Sequence, residues 1–105
     1  MRDVQVHGLQ YFVIIADQNK KKEFLALLDE YGARGIEVVY AHGSMNPSAV
    51  AAAFGLETEQ HKMMLTCLLH TNQAKNLMDV LYYDYRFDKP NTGIAFSVPV
   101  EGMAF

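Results

Sequence analysis

Nucleophilic or metal chemistry in this chain can start from few side chains: a single cysteine, four histidines and Ser44. His42 and His61 are the pair with a spatial argument. They flank the stretch joining two strand-like segments, so a hairpin of those segments brings both imidazoles to one end of a sheet. There they are able to share a metal. The plainer account is two polar residues at strand ends, where water begins, and no third ligand stands at a telling spacing. Cys67 lies inside an apolar run, where a thiol is buried and inert. His70 sits at a helix entry and His7 in an edge segment. Lys20, Lys21 and Lys22 crowd the start of a helix, where cations oppose the dipole and can gather an anion. A solvated charged face is the simpler reading. The chain has no zinc-type cysteine pairs, no phosphate-cradling glycine loop and no nucleophile elbow. It also lacks a paired acid–base set, which favours a binding or regulatory role over catalysis. The alternative is a small metal-binding protein or enzyme using the His42/His61 end.

The elements that position these residues follow from periodicity. Residues 9–16 are apolar except Gln10 and rich in β-branched and aromatic types, a strand. Asp17 or Asn19 caps the next helix, whose Phe24, Leu27, Leu28 and Tyr31 form one stripe. Gly32 closes it. Residues 36–41 form a second strand with Ile36, Val38 and Tyr40 on one face. Residues 43–60 are irregular, with an alanine-rich turn of helix at 48–54. Residues 61–69 form a third strand. Thr71 caps a second helix striped by Ala74, Leu77, Met78, Leu81 and Tyr85. Asp88-Lys89-Pro90-Asn91 makes a turn, and residues 92–100 form the last strand.

The order β-α-β-β-α-β predicts an α+β, ferredoxin-like sandwich: a four-stranded antiparallel sheet with two helices on one face. Strands one and three are apolar on both faces and belong in the centre. Strand two carries Glu37 and strand four Pro99, which belong at edges. Two helices cover one face of such a sheet. The other would be a large exposed apolar patch on a monomer, so self-association through it is expected.

The 105 residues, half of them apolar, fit one domain spanning 1–105. A net charge of −3 argues against nucleic acid as a partner. The lone cysteine, the lack of a signal-type apolar region in residues 1–8 and the absence of a membrane-length apolar run point to the cytoplasm.

Two stretches resemble the nitrogen regulatory P-II signalling proteins and their P-II-like relatives. One is Gly32-Ala33-Arg34-Gly35-Ile36-Glu37-Val38, followed by Gly43 where the second strand enters a loop. The other is Gly93-Ile94-Ala95-Phe96-Ser97-Val98-Pro99-Val100-Glu101. The resemblance implies a homotrimer with its sheets inward and a small-molecule effector bound in clefts between subunits. It also implies control of a partner enzyme or membrane transporter through the loop after strand two. Carried over residue by residue, it points to Gly43, Lys89, Thr92 and Gly93 as ligand-binding positions and to an adenine nucleotide as ligand. The chain departs from the pattern in three places. Residues 44–60 hold no tyrosine for modification, residues 87–93 keep only part of the glycine-rich nucleotide loop, and no C-terminal arginines are present. ATP binding much weaker than in the best-known members, or none, is the expectation.

Overall fold

The computed structural model describes residues 3–5 (backbone alone), 8–40, 61–90 and 92–104. Strand β1 (Asp3–Gln5) precedes the long strand β2 (Leu9–Asp17), a 3-10 turn (Gln18–Lys20) and helix α1 (Lys21–Glu30). Then come β3 (Arg34–Tyr40), β4 (Lys62–His70), helix α2 (Thr71–Tyr83), β5 (Ile94–Pro99) and β6 (Gly102–Ala104). The main sheet runs β3-β4-β2-β5 and is antiparallel throughout. The ferredoxin-like order is therefore present, with the doubly apolar strands central and the strands bearing Glu37 and Pro99 at the edges.

Side-chain alternation along the strands decides the two faces. Phe12, Ile14 and Ala16 of β2 and Met63, Leu65, Cys67 and Leu69 of β4 point toward the helices. They pack with Phe24, Leu27 and Leu28 of α1 and Ala74, Leu77 and Leu81 of α2 in one core. Each such fully buried aliphatic or aromatic side chain contributes about 1.5–3 kcal/mol. The opposite face carries Tyr11, Val13, Ile15, Met64, Thr66 and Leu68. On the edge strands, Val39 and Val98 extend it through their cross-strand register. Tyr11, Val39 and Val98 are 42%, 41% and 48% exposed, three of the most exposed large apolar side chains described. No helix among the described residues lies over them.

Helix ends explain the local turns. The Asp17 carboxylate accepts from the Asn19 N–H at 3.2 Å and caps the 3-10 turn. Helix α1 itself has Lys20 at its N-cap and no side-chain cap, unlike the expected capping of the helix by Asp17 or Asn19. At the end of α1, Ala33 N–H donates to the Leu28 carbonyl and Gly32 N–H to that of Asp29, both at 3.0 Å. This is the Schellman closure, and it needs the positive φ of Gly32 (+79°). One cap differs from expectation. Thr71 is the first helical residue of α2, not its cap, and its N–H donates to the Gly8 carbonyl at 2.8 Å. A main-chain acceptor just before β2, remote in sequence, replaces the side-chain cap, which local sequence cannot reveal.

Strands β1 and β6 were not expected. They pair with each other in a separate two-stranded ribbon. The stretch 43–60, expected from sequence to be irregular with a short helix at 48–54, lies outside the described residues.

Because Ile14 is 1% exposed within the helix-side core, Ile14→Asp places an unpaired charge where no partner exists. The expected outcome is loss of the cooperative urea transition followed by circular dichroism.

Candidate ligand-binding turn

Three of the positions singled out from sequence converge on the connection between α2 and β5, and its geometry is tightly determined. Arg86, just past α2, takes the left-handed region (φ +60°), and the Phe87 N–H reaches back to the Leu81 carbonyl at 3.0 Å. That reversal drops the Phe87 ring onto the body, where it meets Phe24 edge-on at 5.9 Å between centroids. Tyr85 meets the same Phe24 ring at 5.2 Å. Gly93 lies directly beneath Phe87, and a Cβ there would stand 2.5 Å from the ring. Gly93 is thus required by packing, whatever else it does.

Polar groups close the turn on itself. The Thr92 hydroxyl lies 2.8 Å from the Arg86 carbonyl and 2.9 Å from that of Lys89, its donor shared between them. The Lys89 N–H donates to the Arg86 carbonyl at 2.9 Å. The Arg86 guanidinium pairs with the Asp88 carboxylate at 3.0 Å. Thr92 therefore commits its hydroxyl inside the turn. Lys89 is exposed and has no ion-pair partner among the described residues. A free ammonium on a rigid turn is suited to a phosphate or carboxylate group, as a compact point charge. The Arg86–Asp88 pair and the Phe87–Gly93 contact were missed in the sequence. The Arg-x-Asp spacing was the available signal for the first.

Beside the turn, a groove of about 830 Å³ runs between α1 and α2, with Thr92 at one end. Asp17, Glu23, Glu30 and Asp84 line it against a single cation, Lys20. Burial, and next the neighbouring Glu23 carboxylate, push the Tyr85 phenol above its ordinary range. This groove repels anions.

The other candidates disperse. Lys20 pairs with Glu23 at 3.7 Å and Lys21 sits 5.2 Å over the Tyr40 ring, so the first-turn lysines are not pooled on one anion. His61 is exposed at the start of β4, with its carbonyl accepting from the Gln18 N–H at 2.7 Å. His42 and Gly43 lie outside the described residues. Among the described residues no three histidine, cysteine or acidic side chains are grouped to hold a metal. Cys67 is buried in the core, and desolvation pushes its thiol from the ordinary 9.0 to about 11. No helix among the described residues is long and apolar enough to cross a membrane.

Two outcomes test this description. Gly93→Ala should cost about 1–3 kcal/mol by overpacking, read from urea midpoints, and Phe87→Leu in the same chain should restore part of the loss. For Cys67, the folded thiol titrates above the unfolded one. Its stabilising share is therefore whole below pH 9 and disappears as pH rises toward 11. Wild type should lose stability across that window more steeply than Cys67→Ala, and native Cys67 should resist thiol reagents at about pH 7–8.

No family model matches the sequence, and no curated protein does. Solved structures do. A Thermus thermophilus protein classed as PII-like signalling aligns with a TM-score of 0.63 at 19% identity, over 98% of this chain and 90% of that one. The apo form of CPII, a nitrogen regulatory PII-like protein from Thiomonas intermedia, aligns at 0.67 with 14% identity, over 98% of both chains. CPII bound to ADP, AMP and bicarbonate aligns at 0.65 with 14% identity, over 99% of this chain and 98% of that one. The fold of this chain, from end to end, is that of PII-like signalling proteins.

Proposed function

We propose that this chain is a PII-like regulator of the cytoplasm and not an enzyme, a single domain that assembles as a homotrimer. It answers to a small anionic effector and acts on a partner enzyme or membrane transporter through the segment after β3. The observation that carries this reading is the apolar face opposite the helices, on a fold shared along its length with PII-like proteins. Val13, Ile15 and Thr66 at the centre of that face are buried, but Tyr11, Val39 and Val98 around them stay exposed, which is costly in water. Packing three copies with that face inward removes the cost.

The effector site proposed here lies where copies meet, at the turn bearing Lys89, Thr92 and Gly93 together with Gly43. Two features support placing it there. Lys89 is free to receive an anion, and the acidic groove on the other side of the turn repels one. Thr92 and Gly93 act by holding the turn that presents Lys89. An adenine nucleotide is the effector class to test first, since CPII has been solved with ADP, AMP and bicarbonate. The partial glycine loop argues for weak ATP binding.

Light scattering at micromolar concentration is expected to give three times the 11.8 kDa chain mass, and a monomer mass would overturn the assembly. Val98 is half exposed in the single chain, so Val98→Asp should leave the fold intact while breaking the trimer. Calorimetry and thermal shift with ADP, AMP, ATP, bicarbonate and 2-oxoglutarate test the effector. The expected result is stabilisation by ADP or AMP exceeding that by ATP, weakened at least tenfold in Lys89→Ala. Tight magnesium-dependent ATP binding would overturn the weak-ATP reading, and no response to any of them would overturn the effector class.

A further inference from the structure

Among the described residues, Arg86 is the sole non-glycine residue with a positive φ (+60°). A Cβ makes that region costly, whereas glycine enters it freely. Nothing in the closure of the turn calls for the arginine side chain. The bonds that fasten the turn here come from the Lys89 N–H at 2.9 Å and the Thr92 hydroxyl at 2.8 Å, and both end on the Arg86 carbonyl. Glycine would offer the same carbonyl without the steric cost. A side chain kept at such a backbone outlier, where folding does not need it, points to a use of its own.

The guanidinium is more than half exposed, and its one partner among the described residues is the Asp88 carboxylate at 3.0 Å. An exposed ion pair of this kind adds little to stability, so exchanging its carboxylate for another anion costs little. The Lys89 N–H to Arg86 carbonyl bond makes residues 86–89 a β-turn, which keeps the Cα atoms of Arg86 and Lys89 within about 7 Å. Two exposed cations therefore stand at the two ends of one short turn. Arg86 presents a planar fork suited to a pair of oxygens, and Lys89 a compact point charge.

We propose that Arg86 is a second anion-binding residue of this turn and that Asp88 is its internal stand-in. The Asp88 carboxylate holds the guanidinium until a phosphate or carboxylate group of the effector takes its place. The inference rests on the reading of this turn as the effector site, and it adds a residue and a threshold to that site. An anion must out-compete a carboxylate already paired with Arg86, which favours groups with two or more charged oxygens over simple ions.

The test is calorimetry with ADP, AMP and bicarbonate on the full chain, Arg86→Gly, Asp88→Asn, the double variant and Lys89→Ala, with urea midpoints for each. For whichever of the three anions binds, Arg86→Gly should weaken affinity at least fivefold without lowering the urea midpoint. Asp88→Asn should tighten it at least threefold, and that gain should vanish in the double variant, because Asp88 acts through Arg86. A gain from Asp88→Asn that persists without Arg86 makes Asp88 a general repulsive charge and overturns the stand-in. Binding that falls in Lys89→Ala but is unchanged in Arg86→Gly overturns the Arg86 role while leaving the effector site intact. A lowered midpoint in Arg86→Gly makes the side chain structural and overturns the role as well. No binding of any of the three anions to any chain overturns the proposal together with the effector reading beneath it.

Discussion

The antiparallel pairing of β2 with β4, from Leu9↔His70 to Asp17↔Lys62, governs the rest of the molecule. Neither strand has a polar face along its middle, so whatever covers one side leaves the other in want of cover. The helices settle one side. Phe24, Leu27 and Leu28 from α1, with Ala74, Leu77 and Leu81 from α2, close over Phe12, Ile14, Leu65 and Cys67 and leave them almost wholly buried. Among the described residues no helix covers the second side, where Val13, Ile15 and Thr66 are buried at the centre while Tyr11, Val39 and Val98 stay exposed. The edge strands soften this only partly. Glu37 stands opposite Thr66 on that face, while Val39 and Val98 widen the apolar surface.

The same core anchors the candidate site. Phe24 belongs to the α1 stripe, yet its ring also receives Phe87 and Tyr85 from the connection after α2. Phe87 in turn presses on Gly93, where the backbone turns into β5. A chain of ring contacts therefore ties an exposed turn to the sheet interior, and the carbonyls of Arg86 and Lys89 are fastened by Thr92. The consequence is that Lys89 projects from a fixed platform. A cation held this way loses little conformational freedom of the backbone when it binds an anion, and less ordering cost leaves more of the interaction as affinity.

Electrostatics separate the two sides of that turn. Toward the helices, carboxylates dominate the groove, and burial, followed by the Glu23 carboxylate, raises the Tyr85 phenol. Away from them stands the unpaired ammonium of Lys89. Among the described residues, Lys89 thus offers an anion a favourable approach at this end of the molecule.

Much of the fold was legible in sequence because its signals are periodic and local. Runs apolar on both faces mark central strands, Glu37 and Pro99 mark edges, and the spacings of Phe24-Leu27-Leu28 and Ala74-Leu77-Leu81 mark the helix stripes. Gly32 was readable for the same reason, since its closure involves bonds within one turn. The site was legible only as a location. That Gly93 lies under Phe87, that Thr92 is occupied by carbonyls of its own turn, and that Lys89 is left free are facts of side-chain placement across the fold. The missed features share one cause. The first N–H of α2 is satisfied by Gly8, and β1 finds its partner near the other end of the chain, both interactions between segments remote in sequence. Local composition determines which segments become strands and helices, but only the assembled tertiary structure decides which distant groups satisfy one another, because burial and hydrogen bonding are settled in space.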